Sequence, residues 1–394
     1  MSHPHRRGAF GAPRRSYSRG RPSGRRVPKQ YIDPARFVKK AVATINVEHT
    51  IRHSFADFGL DPRLLQNITS LGFTQPLPIQ DQAIPPALSG SDIIGLANTG
   101  TGKTAAFAIP LINHRLGSRR QTLILAPTRE LAIQIESDIR SLSQGLGLRT
   151  AITVGGQPIW KQKSQIAQRP DFVIGTPGRL KDLLERKFLN LSAFQALVLD
   201  EVDRMVDMGF IHDIKSILSH MPAQRQSLFF TATIPPKIED TMRTFLHNPV
   251  KISVKLGDTV DSVEQDVVRV AVGENKFDKL HTILSDDPAT KALVFGETKR
   301  GVEKISQALA ERGMRSVTIH GNKSQSQRQR ALGQFRQGQP SVMIATDVAA
   351  RGLDIKDITH VINFDTPSSY DDYVHRIGRA GRAGNQGMAL TFVN

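Results

Sequence analysis

A glycine-rich stretch at residues 97–104 has the residue types of a phosphate-binding loop. It reads Ala-Asn-Thr-Gly-Thr-Gly-Lys-Thr between an apolar run and an alanine-rich run, which predicts a strand, a tight loop and a helix. Glycines let the backbone curl so that N–H groups point inward, and these groups together with the helix N-terminus favour an anion. Lys103 can reach the outer phosphates of a nucleotide, and the Thr104 hydroxyl can ligate magnesium. The alternative is an ordinary glycine-rich turn, which does not need this flanking strand and helix.

Asp200, Glu201 and Asp203 place three carboxylates directly after the apolar run 197–199. A carboxylate at a strand end near a phosphate loop can hold magnesium, usually through water. The neighbouring Glu201 could orient or deprotonate an attacking water. Acidic turns are common in proteins, so it is the position at a strand end, downstream of a phosphate loop, that predicts the second half of an ATPase site.

Arg376, Arg379 and Arg382 lie close together in a part of the chain that has no phosphate loop of its own. Guanidinium groups delivered across a cleft can stabilise the charge on a transferring phosphoryl group, which is worth roughly three to five orders of magnitude in rate. Such an arrangement would make hydrolysis depend on the closure of two domains. The alternatives are a basic surface face or a general grip on phosphate.

Short apolar runs that alternate with helical stretches predict the elements that hold these groups. After the phosphate loop, runs that end in polar or small residues lie at 123–127, 172–176, 197–200 and 228–231. Beyond a break near residues 247–249, the rhythm restarts with runs at 292–295, 317–320, 342–346, 361–364 and 388–393. Buried parallel strands read as continuous apolar runs, and α/β sheets bind ligands at the carboxyl ends of their strands. The pattern predicts two α/β domains with the site at those strand ends.

Composition and charge bound the class of protein. The chain has 394 residues, 39% of them hydrophobic, which is enough for two domains with buried cores. It holds no cysteine, which excludes disulfides and thiolate metal sites, and it lacks an apolar run of about 18 residues that would predict a membrane span. The formal net charge of +17 suggests a polyanionic partner.

Residues 1–30 carry eight arginines and one lysine, and no acidic residue precedes Asp33. Few apolar residues are present to offset chain entropy, so the segment is predicted to be disordered. Phe10 and Tyr17 among the arginines suit loose contact with single-stranded nucleic acid by charge and stacking. A solubilising tail without a ligand and an organelle transit peptide are the alternatives, and the glycine and proline content disfavours the second.

From Phe55 to Phe392 the chain resembles the DEAD-box RNA helicases of superfamily two. The matching motifs stand in the family's order at residues 72–80, 97–104, 127–131, 155–156, 176–179, 200–203, 231–233, 320–321, 345–347 with 351–354, and 375–382. The resemblance implies an α/β fold with two RecA-like parallel-sheet domains in tandem, joined by a short linker and preceded by a disordered basic tail. The expected ranges are 1–48 for the tail and lead-in, 49–248 for the first domain, 249–264 for the linker and edge segment, and 265–394 for the second domain.

The same resemblance implies how ATP would bind. Phe73 would stack on adenine and Gln80 would read its edge, with Phe55 supporting both. Asp354 would contact the ribose. The phosphates would be held by the loop residues Thr99, Gly100, Thr101, Gly102, Lys103 and Thr104.

Residues for magnesium and for hydrolysis are implied as well. Thr104 and Asp200 would position the Mg²⁺ ion, and Glu201 would activate the attacking water. Arg379 and Arg382 would face the γ-phosphate from the second domain, and Lys103 would act with them.

Two further sets of residues are implied for coupling and for RNA. The residues expected to couple the ATP site to the nucleic-acid site are Asp203, Thr231, Thr233 and His375. The residues expected to contact RNA are Thr128, Arg129, Gly156, Thr176, Gly178 and Arg179 in the first domain and Gly321 and Thr346 in the second. Small residues and backbone N–H groups can approach sugar-phosphate closely, so such a surface would read backbone shape, including the 2′-hydroxyl, rather than base sequence.

Four positions depart from the usual family pattern. Val202 stands in place of alanine and is expected to point into the core, and Thr231 replaces serine but keeps the hydroxyl. Asn322 stands where aspartate is common, and Ala380 where threonine is frequent. None of these changes removes a catalytic group. The chain ends at Asn394 directly after a predicted strand, where family cores often continue with a helix, so we expect either a minimal second domain or a fragment.

We therefore expect an ATP-dependent RNA helicase that uses ATP and Mg²⁺, binds RNA by its backbone, and is a cytoplasmic monomer without a membrane segment. ATP and RNA would each favour a closed arrangement of the two domains, and their coupling must be reciprocal. Three alternatives stay open: an ATP-gated RNA clamp that seldom separates strands, for which Thr231 leaves room; an RNA chaperone that acts through residues 1–30; and a DNA helicase.

Overall fold

Two parallel sheets form the framework, and each follows from the continuous apolar runs of its strands. The structure is a computed structural model that describes residues 32–40, 50–97, 100–118, 120–234, 239, 242, 244–254, 263–286, 290–350, 355, 357–381 and 387–393. We refer to residues 50–254 as the first lobe and to residues 263–393 as the second lobe.

The sheet of the first lobe has seven strands in the order β3-β4-β2-β5-β6-β1-β7, and all neighbouring strands are parallel. Apart from the edge strand β7, most of their side chains are buried because helices cover both faces. The strands are β1 (Ile93–Ala97), β2 (Gln121–Leu125), β3 (Thr150–Thr153), β4 (Phe172–Gly175), β5 (Phe194–Asp200), β6 (Gln226–Thr231) and β7 (Val250–Val254).

The helices of the first lobe begin where the sequence offers a start signal. Proline occupies a first-turn position in three of them, where its missing N–H costs nothing. Thr128 caps another, since its Oγ1 accepts a hydrogen bond from the Leu131 N–H at 3.3 Å. The helices are α1 (Pro62–Ser70), α2 (Pro78–Leu88), α3 (Lys103–Gly117), α4 (Arg129–Leu142), α5 (Ile159–Ala167), α6 (Pro177–Glu185), α7 (Val202–Asp207) and α8 (Ile211–Leu218), with a 3₁₀ turn at Phe55–Phe58.

The second lobe repeats this architecture with six parallel strands in the order β10-β11-β9-β12-β13-β8. Its strands are β8 (Val263–Arg269), β9 (Ala292–Phe295), β10 (Val317–Ile319), β11 (Val342–Ala345), β12 (His360–Asn363) and β13 (Gly387–Val393). Its helices are α9 (Lys276–Ser285), α10 (Lys299–Glu311), α11 (Gln325–Arg336), α12 (Asp347–Ala350) and α13 (Tyr370–Ile377).

Strand order decides which residues become neighbours at the carboxyl edge of each sheet. In the first lobe β6 lies between β1 and β5, so the glycine-rich loop after β1, Thr231 at the end of β6 and Asp200 at the end of β5 lie side by side. In the second lobe β10 and β11 are neighbours, which brings the residues after them, Gly321 and Thr346, to one edge. Both sheets therefore present their polar strand ends as the sequence predicted.

A segment that precedes the first lobe in sequence is packed into the core of the second. Phe37, in a 3₁₀ turn at Pro34–Phe37, is fully buried with its ring centroid 4.7 Å from that of Tyr373. The Arg36 guanidinium lies 3.8 Å from the centroid of the Tyr370 ring. Lys39 pairs with Gln265 of the edge strand β8 through two backbone hydrogen bonds of 2.8 and 2.9 Å. The second lobe is thus completed by residues that lie more than two hundred positions upstream of it.

The predicted fold class is confirmed: both halves are α/β with parallel sheets. The helix expected at residues 62–71 is present as α1. Val250–Val254 pairs with β1 at the edge of the first sheet, inside the stretch expected to be linker and edge segment. The domain boundaries remain predictions, and the basic tail at residues 1–30 lies outside the described residues. Among the described helices, none has the length and apolar character that crossing a bilayer would require.

Candidate functional site

The glycine-rich loop joins β1 to α3 and is closed by its own lysine. Gly100 and Gly102 have φ angles of 83° and 87°, in the left-handed region that favours glycine. The buried Lys103 Nζ donates a hydrogen bond of 3.0 Å to the Ala97 carbonyl oxygen. This hydrogen bond links the two ends of the loop. Asn98 and Thr99 lie outside the described residues. The geometry is that of an anion cradle at a helix N-terminus.

Gln80 connects the predicted base-binding segment to this loop. Its Nε2 donates to the Gly102 carbonyl oxygen at 3.1 Å, and its Oε1 accepts from the Leu77 N–H at 2.9 Å. A Cβ atom on Gly102 would come within 2.5 Å of the Gln80 Nε2, so a side chain there would displace the Gln80 amide as well as strain the backbone. The Phe73 ring meets the Phe55 ring edge-on, with centroids 6.1 Å apart. The structure thus brings Phe55, Phe73 and Gln80 to one side of the loop.

Asp81, the residue after Gln80, was missed by sequence reasoning. Its buried carboxylate accepts hydrogen bonds from the backbone N–H groups of Arg52 and His53, at 3.2 and 3.0 Å, and lies 2.8 Å from His53 Nδ1. These contacts hold the segment that leads into Phe55. The signal in the sequence was an acidic residue in the first turn of a helix, which by itself indicates only a favourable interaction with the helix dipole.

The acidic residues after β5 form a buried cluster. Glu201 has a φ of 53°, an uncommon conformation for a residue with a side chain, and its N–H donates to Asp200 Oδ1 at 3.0 Å. Burial raises the pKa of Asp200 to about 6, while the nearby Lys103 lowers it and Glu201 raises it. The Arg204 guanidinium donates to Glu201 Oε2 at 2.7 Å, and both side chains are buried. Arg204, also missed from the sequence, fixes the orientation of the Glu201 carboxylate.

Three of the four predicted coupling residues share one hydrogen-bond network. Asp203 Oδ2 accepts from the Ala232 and Thr233 N–H groups, both at 3.1 Å, and lies 3.3 Å from the Thr233 Oγ1. The Asp203 N–H donates to Thr231 Oγ1 at 3.3 Å, and that hydroxyl donates to the Thr233 carbonyl oxygen at 2.7 Å. The network ties the acidic turn after β5 to the end of β6. The fourth residue, His375, lies in α13 of the second lobe, where it lines a small pocket with Arg376 and Arg379.

A cleft of about 960 Å³ is lined by both lobes. The first lobe contributes Lys103, Thr104, Asp200 and Glu201 together with Phe73 and Gln80, and the second lobe contributes Arg379. The Arg379 side chain is buried. Arg382 and Asp354, which were expected at the same site, lie outside the described residues. The cleft therefore unites an anion cradle, two carboxylates and a guanidinium group.

Arg376 has a structural role. Its Nε and Nη2 donate to the two carboxylate oxygens of Asp347 at 2.6 and 2.7 Å. Its Nη1 donates to Asn363 Oδ1 and to the Asp365 carbonyl oxygen at 3.1 and 2.8 Å, and its guanidinium lies 5.0 Å from the centroid of the Phe295 ring. A guanidinium held by four hydrogen bonds inside the second lobe anchors α13, the helix that leads to Arg379.

The residues expected to contact RNA in the first lobe gather around one loop. A Cβ on Gly155 would come within 2.9 Å of the Arg129 Nη2, and at Gly156, whose φ is 77°, the Arg129 guanidinium also fills the space of a side chain. Arg179 Nη1 donates to the Gln157 carbonyl oxygen at 3.0 Å. Two arginines therefore flank the loop at residues 155–157. The remaining residues lie nearby in sequence or structure, with Thr128 before α4, Thr176 before α6 and Gly178 exposed in α6.

In the second lobe, Gly321 and Thr346 follow neighbouring strands. A Cβ on Gly321 would meet Lys299 Cε at 3.2 Å, so a cationic side chain borders this glycine. The Thr346 N–H donates to the Ile319 carbonyl oxygen at 3.3 Å, which joins the two strand ends. Asn322 Oδ1 accepts from Lys299 Nζ at 2.8 Å, a contact that an aspartate could also make. The strand ends of the second lobe thus combine small residues with positive charge.

Direct contacts between the lobes centre on Glu130 of α4. Its Oε1 accepts from Gln325 Nε2 at 3.2 Å, and its Oε2 lies 3.2 Å from Arg328 Nη2, both on α11. The Glu130 carboxylate is buried, and the Arg328 side chain is 13% exposed. Glu130 matched a family motif in the sequence, but nothing there indicated its partners.

Of the four departures from the family pattern, two are core positions. Val202 is 3% exposed within the core of the first lobe, which confirms the expectation, and Ala380 is fully buried in that of the second. Thr231 keeps the hydroxyl contacts described above. The larger side chain at position 202 is therefore accommodated in the core of the first lobe.

Two family models match this chain, one in each lobe. The family model described as DEAD/DEAH box helicase matches residues 77–241, and the model described as Helicase conserved C-terminal domain matches residues 275–384. The chain is 46% identical over 343 residues to ATP-dependent RNA helicase CshA of Listeria monocytogenes, covering 86% of this chain and 66% of that protein. It is 44% identical to DEAD-box ATP-dependent RNA helicase CshA of Bacillus subtilis, covering 86% of this chain and 69% of that one. The chain thus spans about two thirds of the length of these relatives.

Solved structures give the same result. Saccharomyces cerevisiae Dbp5 bound to RNA and ADP BeF3 superposes with a TM-score of 0.74 at 28% identity, covering 87% of this chain and 90% of that one. A DEAD box protein from Methanococcus jannaschii superposes with a TM-score of 0.51 at 37% identity, covering 86% of this chain and 93% of that one. By sequence, motif order and fold, the chain belongs to the DEAD-box family of ATP-dependent RNA helicases.

Proposed function

We propose that this chain hydrolyses ATP in the cleft between its lobes and uses the ATP cycle to bind RNA, separate short duplex regions and remodel RNA–protein complexes. One observation carries the proposal. A single cleft is lined by Lys103, Asp200 and Glu201 of the first lobe and by Arg379 of the second. Phosphoryl transfer depends mainly on positioning and on electrostatic stabilisation, and these are the groups that provide both.

The nucleotide would lie with its phosphates in the loop that ends at Lys103. The Lys103 ammonium would exchange its bond to Ala97 for the phosphate oxygens, and Phe73 and Gln80 would meet the base. The Glu201 carboxylate, oriented by Arg204, would accept a proton from the attacking water. Arg379 would balance the charge that develops on the γ-phosphoryl group.

Thr104 and Asp200 fit a magnesium ion, because burial disfavours the charged form of Asp200 and a cation beside it would offset that cost. The described residues contain no group of three or more histidine, cysteine, aspartate or glutamate side chains that could form a complete protein cage. Such a site suits magnesium, which usually binds to one or two carboxylates together with substrate phosphates. When bound, the ion would neutralise phosphate charge during transfer.

RNA would lie across the strand ends of both lobes, next to Arg129, Gly156 and Arg179 in the first and to Gly321 and Thr346 in the second. The likeness to Dbp5 bound to RNA and ADP BeF3 supports this assignment. Cationic and small residues at these positions favour contacts with sugar and phosphate over contacts with base edges. The monomeric state and the cytoplasmic location expected from the sequence stay predictions.

Coupling between the two ligands would run through the hydrogen bonds of Asp203 with Thr231 and Thr233. These residues join the acidic turn after β5 to the end of β6, so a displacement of one segment would move the other. Because the coupling is a free energy shared by both sites, ATP must raise the affinity for RNA by the same factor by which RNA raises the affinity for ATP.

The decisive experiment compares ATP hydrolysis without nucleic acid, with single- and double-stranded RNA, and with DNA, alongside strand displacement. We expect RNA to stimulate hydrolysis, DNA to do so little, and ATP to be required for displacement. Glu201→Gln should bind ATP and RNA together without turnover, and Lys103→Ala should lose nucleotide binding. Hydrolysis that ignores RNA, or that survives in Lys103→Ala, would overturn the proposal.

The same measurements separate the alternatives. An RNA clamp would bind RNA with a non-hydrolysable ATP analogue yet displace no strand. An RNA chaperone would lose its activity when residues 1–30 are deleted, whereas a helicase would only be weakened. Equal stimulation by DNA and RNA would indicate a DNA helicase.

A further inference from the structure

Trp160 is the only tryptophan of the chain, and 65% of its surface is exposed. No other aromatic side chain appears among the large hydrophobic residues exposed in the described part of the chain. Tryptophan brings the largest apolar surface of any side chain, and burying it is strongly favourable. Single exposed apolar side chains are common on folded proteins, so the case for Trp160 as a contact residue rests on its surroundings.

The position of Trp160 relates it to the RNA surface proposed above. It is the second residue of α5, which starts directly after the loop at residues 155–157 that Arg129 and Arg179 flank. Trp160 lies four residues after Gly156, so their Cα atoms are at most about 14 Å apart. An RNA strand whose backbone contacts Gly156 has bases within reach of that distance.

The charge around Trp160 favours a polyanion. No aspartate or glutamate occurs between Asp138 and Asp171, whereas this stretch holds Arg140, Arg149, Lys161, Lys163 and Arg169. Lys161 and Lys163 are exposed beside Trp160, and the Lys161 Nζ lies 5.5 Å from the centroid of its ring. An aromatic ring beside exposed lysines, in a stretch of sequence without acidic residues, suits the binding of single-stranded nucleic acid by stacking and charge.

We propose that Trp160 is a stacking platform for one unpaired RNA base, adjacent to the backbone site of the first lobe. The inference rests on the proposed function, because it extends the RNA surface assigned there. The backbone residues read sugar and phosphate, whereas Trp160 adds a contact with a base face. Every base has such a face, so the contact strengthens binding with little dependence on base identity. A segment that must stack is unpaired, so the platform favours strands already separated at this point.

The single tryptophan makes the test direct, since tryptophan fluorescence excited at wavelengths that tyrosine does not absorb reports this residue alone. We would titrate the chain, with a non-hydrolysable ATP analogue and Mg²⁺, with unlabelled single-stranded oligouridylate and oligoadenylate, and measure affinity in parallel by anisotropy of labelled RNA. Stacking should quench the emission over the concentration range in which anisotropy rises.

Variants test the energetic contribution. Trp160→Ala should weaken RNA binding about 5- to 150-fold, the range expected for loss of one base stack, and Trp160→Phe should restore most of the affinity. Val272→Ala, which truncates an exposed apolar residue of the second lobe, is the matched control and should change nothing.

Three results would contradict the inference. RNA binding without quenching, or with unchanged affinity in Trp160→Ala, would remove Trp160 from the RNA site while leaving the proposed function intact. Absence of RNA binding by anisotropy would instead overturn the proposed function. Emission that changes with protein concentration in the absence of RNA would assign the surface to self-association.

Discussion

The two lobes share a sheet architecture, but the carboxyl ends of their strands carry different functional groups. In the first lobe the carboxyl ends of β1 and β5 present a phosphate loop and buried carboxylates, with Lys103 beside Asp200. In the second lobe the strand ends carry small residues and cations, and the cleft receives Arg379. In the function proposed above, the phosphate loop of the first lobe binds the triphosphate and Arg379 of the second lobe stabilises its transfer. Hydrolysis would therefore require both lobes.

The lobes also differ in how they neutralise charge. Arg376 of the second lobe is bound by the Asp347 carboxylate, Asn363 Oδ1 and the Asp365 carbonyl oxygen, so its charge stabilises the fold. The Asp200 carboxylate of the first lobe is buried next to Glu201, and its raised pKa shows that the charged form is disfavoured there. A buried carboxylate whose charged form is disfavoured in the unliganded protein can be stabilised when a cation binds beside it, and such groups are common at functional sites. In the first lobe, the unfavourable burial of the Asp200 charge would be offset only when a ligand binds. In the second lobe, the Arg376 charge is already offset by its partners within the lobe.

The largest effect is expected from the residue that the second lobe contributes to the cleft. Arg379→Ala should lower kcat about 10³-fold or more, because a guanidinium on the transferring phosphoryl group is worth that much. Nucleotide affinity should change far less, since the phosphate loop belongs to the first lobe. Single-turnover hydrolysis at saturating RNA measures the first effect, and binding of a fluorescent ADP analogue measures the second.

The matched control is Arg312→Ala, which removes an arginine of the same lobe whose Nη2 pairs with Asp278 at 2.5 Å. Its kcat should stay close to that of the unchanged chain. A loss of less than tenfold in Arg379→Ala would show that the two lobes do not divide the chemistry as described.

The next largest effect should distinguish the two lobes by stability. Phe37→Ala should destabilise the second lobe by about 3–5 kcal/mol, because a fully buried ring against Tyr373 is lost. Hydrogen exchange should accelerate in β8–β13 and stay unchanged in β1–β6. Val38→Ala, at the neighbouring and half-exposed position, is the control. Equal loss of protection in both lobes would mean that this segment supports the whole chain rather than the second lobe.

The sequence predicted those features that depend on local patterns. Apolar runs ending in polar residues predicted both sheets. The motif residues Lys103, Asp200 and Glu201 meet at one cleft because they lie at or after the ends of strands of one parallel sheet, whose carboxyl ends share an edge. Asp203, Thr231 and Thr233 also proved to be neighbours. These residues lie at strand ends, where position along the chain translates directly into position at the sheet edge.

Features that depend on long-range packing could not be predicted. The sequence of residues 32–40 contains nothing that points to Gln265 or Tyr373, because the burial of Phe37 depends on packing against distant parts of the second lobe. The partners of Glu130 lie about two hundred residues away on an ordinary polar helix face. Arg376 and Arg379 share one sequence motif. Only the folded structure shows that Arg376 pairs with Asp347 whereas Arg379 lines the cleft.

A smaller effect should appear as a pH dependence of stability in the first lobe. Burial raises the pKa of Asp200 from 3.8 to about 6. Below pH 3.8 the group is protonated in the folded and unfolded chain and costs nothing. As the pH rises towards 6 the unfolded chain ionises first, so the folded state loses stability, by about 3 kcal/mol in full above pH 6.

Asp200→Asn removes this cost. Without nucleotide and with EDTA, the variant should be more stable than the unchanged chain at pH 7, and its advantage should vanish as the pH falls to 4. Urea unfolding across this range measures the gain, and Asp286→Asn, at an exposed position, should show none. A gain that grows on acidification would have the wrong sign and would exclude burial as its cause.

The smallest effect concerns the contact that joins the lobes. Glu130→Gln keeps an oxygen for Gln325 but removes the charge that faces Arg328 at 3.2 Å. If this contact belongs to the state that holds both ligands, its loss should raise the KM for ATP and for RNA by about tenfold each, a cost of roughly 1.4 kcal/mol. The kcat at saturation should be nearly unchanged, because no group at the transferring phosphate is altered.

Glu136→Gln is the control, since it removes a charge from the same helix that pairs with Arg140 within the first lobe. The sign of the change in KM is the informative outcome. A lower KM in Glu130→Gln would assign the contact to an unliganded state that must open before ATP binds, because weakening a competing state raises apparent affinity. The pair of Glu130 and Arg328 would then stabilise an arrangement of the lobes that competes with the catalytic one. Glu130 would in that case inhibit hydrolysis rather than support it.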